Sequence, residues 1–254
     1  MESLREKRRP SLNSETDTEH WSRLTKNPIG DAALEFVRMQ LDRAYLGRLS
    51  SYEETISKYI AGKTVLDIGL VEHTRELIDR EGWKHRKFRN AAKRIVGCDV
   101  LPEEVEYLQQ LGYDVRLVDG TSDADIGERF ETVFVGDVIE HVGDPVRLLS
   151  FGARHLDREG SIVVTTPCPF WYKNLWAALR QPPFIGNVDH VCWVTPFNAI
   201  ELAHRASLKL EGYWLVQNQG HNAVTRWLHR IRASTGFGNS EVFSWAYVYV
   251  YRRD

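Results

Sequence analysis

At 254 residues, with 43% hydrophobic and 27% charged side chains, the chain suits one large α/β domain with a well-buried core and is rather short for two. Its 33 Lys and Arg against 35 Asp and Glu leave a net charge of −2, which excludes a global pull toward nucleic acid or acidic membranes. The three cysteines, Cys98, Cys168 and Cys192, form neither a paired framework nor a CxxC, and we expect reduced thiols in a cytoplasmic protein.

Residues 1–20 are charged and polar with no apolar h-region, so they read as a flexible tail and not as a secretory signal. Residues 21–254 follow as a single domain. "DAALEFVRMQLDRAYL" sets Leu34, Val37, Leu41 and Tyr45 on one helical face, and "SSYEETISKYI" offers Ser51 as N-cap with Glu54 three residues on, a capping-box pattern. From Thr64 onward the periods alternate. "TVLDI", "RIVGCDV", "YDVRLVD", "ETVFVGDV" and "SIVVTTP" read as strands, the Cys98 strand buried. "WKHRKFRNAAK", "PEEVEYLQQL" with Pro102 at N1, and "DPVRLLSFGARHL" with Asp144 as cap read as the helices between them. Such alternation predicts a Rossmann-like, mostly parallel sheet with helices on both faces. The end differs: "LKLEGYWLVQNQ" and "EVFSWAYVYVYRR" are strands joined by a segment with one helical pattern, "NAVTRWLHRIRA". No apolar run approaches the roughly 20 residues needed to span a bilayer.

Ligands of open parallel sheets bind beyond the carboxyl ends of the strands. Acids stand at four successive ends: Asp67 with Gly69, Asp99, Asp119 with Gly120, and Asp137 with "IEHV". Carboxylates in a cleft repel pyrophosphate and suit a ligand with an amine, hydroxyls, an adenine amine and a positive centre. A nicotinamide-dependent oxidoreductase is disfavoured on two further counts. The acid precedes the glycine with no GxGxxG, and Asp99 lies 32 positions after Asp67 where the dinucleotide fingerprint has its acid about 20 residues on.

In order and spacing, "VLDIG", "VGCDV", "VDG", "FETVFVGDVIEHVGDPVRLL" and "LDREGSIVVTTP" resemble a class I S-adenosyl-L-methionine-dependent methyltransferase. The nearest flavour is the small-molecule O-methyltransferase group with an "EH…DP" segment after strand four. The resemblance covers roughly Thr55 to Tyr213 and implies a seven-stranded sheet whose last strand is antiparallel. It implies N-terminal helices over 21–60, a cofactor-binding core over 63–167, an acceptor-site or lid region over 168–200, and terminal strands with a helical insertion over 208–254. By the same likeness Asp67, with Gly69 and Leu70, would orient the first loop and hold the methionyl amine. Asp99 would take the ribose hydroxyls with Val100 beside adenine. Asp119 would take the adenine amine, flanked by Gly120 and Thr121, and Asp137 would line the methionine end.

Val71 and His73 stand where that family's loop carries glycine. A sulfonium ligand has no phosphate to cradle, so they remove less than they would from a dinucleotide site. They do crowd the methionyl arm. The insertion before Asp99 is expected to form an elongated basic crossover helix. Its basic run, Lys84 to Arg94, is either a solvated face with His85, Phe88 and Ala92 inward or a patch for a phosphate-bearing acceptor. "PFWYKNLWAALRQPPF" aligns Trp171, Leu175, Trp176 and Leu179 as ordinary core or as a lid or membrane-surface helix. On the second reading Trp171, Tyr172 and Trp176 stack on the acceptor, and peripheral membrane contact has a place.

O-methylation asks for a base near neutral pKa, and His141 and His190 are the candidates, although His141 has the alternative of bracing its loop with Glu140. His190 with Cys192 does not make a zinc site, and no metal is expected. The expected acceptor is a small molecule or glycan, with no nucleic-acid partner. The rival is a non-catalytic, cofactor-binding or scaffold relative whose altered loop no longer supports turnover.

Overall fold

Eight strands form one sheet in a computed structural model that describes residues 20–72, 74–217 and 240–254. Residues 1–19 of the expected tail, His73, and the helical pattern at 222–233 lie outside the described residues. The strands are β1 (Tyr45–Leu49), β2 (Thr64–Ile68), β3 (Arg94–Asp99), β4 (Val115–Leu117), β5 (Phe130–Gly136), β6 (Leu156–Pro167), β7 (Leu208–Val216) and β8 (Ala246–Arg253). Their order is β1-β7-β8-β6-β5-β2-β3-β4, and β8 alone runs against its neighbours.

The expected count of seven is corrected by β1. Tyr45 was placed on a helical stripe, but helix α1 (Asp31–Ala44) stops before it, and Tyr45–Leu49 pairs in parallel with β7. The burial of these five residues alternates with period two, and Gly47, at φ +116, carries the register shift at the start of the pairing. The buried face of α1 is also turned by one position from the expected stripe. It consists of Ala33, Phe36, Val37 and Ala44, while Leu34 is exposed.

Alternation along the central strands splits the core into two layers. Leu66, Ile68, Val133, Val135, Ile162 and Val164 point to one face, where Leu148, Leu149 and Phe151 of α6 (Pro145–Arg154) and Ala199 and Ala203 of α8 (Pro196–Arg205) cover them. Val65, Phe134 and Val163 point to the other, under Ile56 and Ile60 of α2 (Glu53–Ile60) and Phe88 of α4 (Lys84–Ala91). Strand β8 shows the period most plainly, with Tyr247, Tyr249 and Tyr251 in the first layer and Ala246, Val248 and Val250 in the second. Fully burying a Val or Phe stabilises the fold by about 1.5–3 kcal/mol, so these two layers dominate its energetics.

Three local expectations change. The capping box at Ser51 does not form: the N-cap of α2 is Tyr52, and the Ser51 hydroxyl accepts from the Glu53 amide at 3.2 Å. The elongated crossover helix is two pieces, α3 (Arg75–Ile78) and α4, because buried Trp83 turns its indole N–H onto the Leu70 carbonyl at 2.9 Å and breaks the run. The strand expected at "YDVRLVD" is shorter, β4 being only Val115–Leu117 after α5 (Pro102–Gln110). Asp144 caps α6 as expected, accepting from the Arg147 amide at 3.0 Å.

Candidate functional site

The order of the sheet reverses at β2: the chain runs outward through β3 and β4, then returns to β5 on the far side. The carboxyl ends of β2 and β5 leave a crevice at that switch point. A cavity of about 700 Å³ fills it, within the range of small-ligand sites. Gly69 makes the crevice by close approach. It holds φ +72, and a Cβ there would stand 2.3 Å from Val138 Cγ2 in the loop after β5. Gly120 does the same beside Ile68, at 2.9 Å.

Asp99 ends β3 as a buried residue, 6% exposed. Oδ2 accepts from the Val71 amide at 2.9 Å, and Oδ1 accepts from Val100 and Leu101 at 2.8 and 3.2 Å. Burial raises its pKa and the three amides oppose that rise. A carboxylate has about four lone-pair sites, so Asp99 keeps capacity for a ligand hydroxyl. Val100 beside it is an exposed apolar surface on the cavity wall. Asp119 is bound by the Thr121 amide and hydroxyl, both at 2.7 Å, which fixes the turn holding Gly120.

Asp137 follows β5 with φ 57, a left-handed conformation that costs a non-glycine residue about 1–3 kcal/mol. It is held there from three sides. Its amide donates to the Thr165 carbonyl at 3.0 Å, the Thr165 hydroxyl donates to Oδ1 at 3.0 Å, and Lys84 Nζ donates to Oδ2 at 2.7 Å. Burial, the largest influence, would lower the Lys84 ammonium, but the charge and hydrogen bond of Asp137 together with those of Tyr52 outweigh it and raise the group, keeping it protonated.

Beyond Asp137 the loop turns Glu140 inward. Glu140 is buried, accepts from the Thr166 hydroxyl at 2.9 Å, and its backbone carbonyl accepts from the Val191 and Cys192 amides at 2.9 and 3.3 Å. Burial, then the charge of Asp137, pushes its pKa up to about 7. Those amides bring His190 back over the loop, where its ring meets His141 edge-on with centroids 4.8 Å apart. His141 Nδ1 lies 3.0 Å from Asp189 Oδ2. Burial, then the neighbouring His141, lowers the His190 pKa. Among the described residues, one oxygen or nitrogen each of Glu140, His141 and His190 lie within 4.8 Å of one another.

The structure therefore gathers Gly69, Asp99, Val100, Asp119, Gly120, Thr121, Asp137, His141 and His190 around one cavity. Five expected residues do not line it. Asp67 is buried and turned to His85, Oδ2 to Nδ1 at 2.7 Å, so its carboxylate is taken up by the protein. The Leu70 side chain packs into the core beside Ile78 and Trp83. Trp171, Tyr172 and Trp176 lie at or on helix α7 (Tyr172–Arg180), none of whose residues is buried; Trp176 is 60% exposed. The core reading of that stripe is overturned. Its chain leaves the cavity wall at Pro167 and returns to it at Asn187.

Asn187, Asp189 and Trp245 also line the cavity without having been expected there, and Lys84, from the basic run, lines it as well. The rest of the basic run is largely committed to the protein: Arg86 donates to the Ile78 and Arg80 carbonyls, Arg89 covers the Tyr113 ring, and Arg94 pairs with Glu128 and Asp114.

No family model and no curated protein matches the sequence. Solved structures do match the fold. An S-adenosylmethionine-dependent methyltransferase of Archaeoglobus fulgidus superposes with a TM-score of 0.54 at 15% identity, over 80% of this chain and 91% of its own. A Haloferax volcanii protein in complex with the Trm112 methyltransferase activator gives 0.53 at 16% identity, over 86% and 93%. An S-adenosylmethionine-dependent methyltransferase of Clostridium acetobutylicum gives 0.50 at 10% identity, over 79% and 88%. At these identities the likeness is one of fold.

Proposed function

We propose that the chain binds S-adenosyl-L-methionine in the switch-point cavity and transfers its methyl group to a hydroxyl of a small molecule or glycan. One observation carries this: a single cavity of about 700 Å³ is lined both by Asp99, Val100 and Asp119, beyond β3 and β4, and by the His141–His190 pair, whose loop lies beyond β5. Asp99 and Asp119 suit ribose hydroxyls and an adenine amine, with Val100 as an apolar wall for the base. Gly69 and Gly120 are places where a Cβ would close the cradle. The cofactor supplies an electrophilic methyl group on a positively charged sulfur, and the acid-rich rim fits that charge.

The protein's own part is positioning and proton handling. In-line methyl transfer gains most from holding the acceptor oxygen at the methyl carbon in a closed site. His190, whose pKa is lowered, is neutral near pH 7 and able to accept the hydroxyl proton; Asp189 orients His141 beside it. Helix α7, with Trp176 and Leu179 exposed and with both flanks on the cavity wall, serves as the acceptor-docking lid. Its apolar face also suits peripheral contact with a lipid surface; among the described residues no helix is long and apolar enough to cross a membrane.

Calorimetric titration with S-adenosyl-L-methionine tests the reading: saturable binding is expected, reduced at least tenfold in Asp99→Ala. Absence of heat at high micromolar ligand would sink it. A scaffold role is the second reading, favoured by the Asp67–His85 pair, which occupies the acid expected to serve the methionyl amine. Cofactor binding without methyl transfer to any hydroxyl acceptor supports that alternative.

A further inference from the structure

Glu140, His141 and His190 come from two separate segments and meet at the acceptor end of the cavity, each offering one ligand atom, all within 4.8 Å of one another. We propose that they form a binding site for one divalent first-row transition-metal ion, which holds and acidifies the acceptor hydroxyl. The inference rests on the methyl-transfer reading for the ion's task, and it changes the task of the two imidazoles from taking a proton to holding a cation.

Several independent features converge on an ion. Two imidazoles and one carboxylate are the donor set that borderline divalent metals prefer, with coordination positions left for solvent or substrate. Ligand bonds of about 2.0–2.2 Å set donor atoms about 3.4 Å apart around a tetrahedral centre, so small side-chain rotations from the present spacing close the cage. Among the described residues, His190 Nδ1 is buried with no hydrogen-bond partner, an unusual state for a polar nitrogen beside a ligand cavity. His141 sets Nδ1 against Asp189 Oδ2 at 3.0 Å, the carboxylate contact that commonly fixes the ring of a metal-bound histidine. Glu140 is nearly fully buried, and its carboxylate accepts from the Thr166 hydroxyl with lone-pair capacity left for an ion. A dication compensates that buried negative charge better than the single Lys84 ammonium, which is already bound to Asp137.

In the step this site supports, the acceptor hydroxyl oxygen occupies an open position on the ion and releases its proton to cavity water. The oxygen then forms its bond to the methyl carbon as the carbon–sulfur bond breaks, and that electron pair stays on sulfur as a neutral thioether. No oxidation or reduction is involved.

The test uses the full chain stripped with chelator and titrated with Co2+, whose visible absorption reports nitrogen and oxygen ligation. One ion per chain is expected. Glu140→Gln and His190→Ala should each weaken binding by tenfold or more, while His204→Ala, which removes a ring stacked on His20 away from the cavity, should not. Urea midpoints of the variants establish that they are folded. Absence of stoichiometric Co2+ binding overturns the inference, as does binding unchanged in both ligand variants. Titration with S-adenosyl-L-methionine in parallel separates the two claims. Cofactor binding without Co2+ binding sinks the ion alone; Co2+ binding without cofactor binding sinks the methyl-transfer reading and leaves the ion site standing.

Discussion

Asp67 and His85 are joined at 2.7 Å inside the protein, with side chains 5% and 1% exposed. The acid that ends β2 is thereby tied to the helix that crosses over it, and helix α4 is anchored by the contact. His85→Ala leaves a buried carboxylate without its partner and should cost about 3–5 kcal/mol. Asp67→Asn, which keeps an oxygen to accept from the ring, should cost much less. Urea unfolding of the two variants measures the difference, and equal losses would show that the pair contributes packing and not charge.

Gly69→Ala places a methyl group against Val138 at a left-handed position. Strain of about 1–3 kcal/mol is expected in the melting free energy, together with weakened cofactor binding, because β2 and the loop after β5 must separate. Calorimetry on the folded variant reads the second effect. Unaltered affinity would show that the approach of these two segments does not shape the ligand site.

Replacing Trp176 and Leu179 with serine removes mostly exposed apolar surface, along with the contact of Arg180 over the Trp176 ring. Stability should change by no more than about 0.5 kcal/mol, and cofactor affinity should hold. Turnover of the acceptor should fall through a raised KM. A KM equal to that of the parent protein would remove α7 from acceptor docking.

His155 predicts an acid-sensitive fold. Its Nε2 accepts from the Ile126 amide at 3.0 Å and its Nδ1 donates to the Phe151 carbonyl at 2.9 Å, which fixes a neutral ring. Burial lowers its pKa below the usual 6.5, and Arg129 and Arg154 reinforce the shift against the nearby Asp125 and the Phe151 bond. The folded state therefore binds fewer protons than the unfolded one, so stability present above pH 6.5 is lost as pH falls through the histidine range. Urea midpoints between pH 7.5 and 5.5 should decline in the parent and decline less in His155→Gln. Parallel slopes would assign the acid loss to other groups.

The sheet was legible because its core strands are short apolar runs punctuated by acids and glycines, and a period of two survives in any one sequence. Tyr45–Leu49 escaped because it continues a helical run without a breaker, and only pairing with β7, more than 160 positions later, makes it a strand. The cavity acids were readable from their place after strands. Their partners were not: Lys84 looked like one more charge in a basic run, and nothing local marks it as the residue that reaches Asp137. The same holds for Asp67, whose position pointed to a ligand while a histidine 18 residues on claimed it. His190 was visible as a titratable group in a loop, but its meeting with Glu140 and His141 depends on two amides bonding one carbonyl across about fifty residues.

The single antiparallel strand has an architectural consequence. Because β8 returns between β6 and β7, the polypeptide exits the sheet after Val216 and re-enters at Ala246 on the edge that carries the cavity, and Trp245 is part of the cavity wall. Trp245 also packs against the second core layer, so one side chain joins this border of the cavity to the sheet beneath it. A substitution at Trp245 therefore reaches the ligand crevice and the hydrophobic interior together.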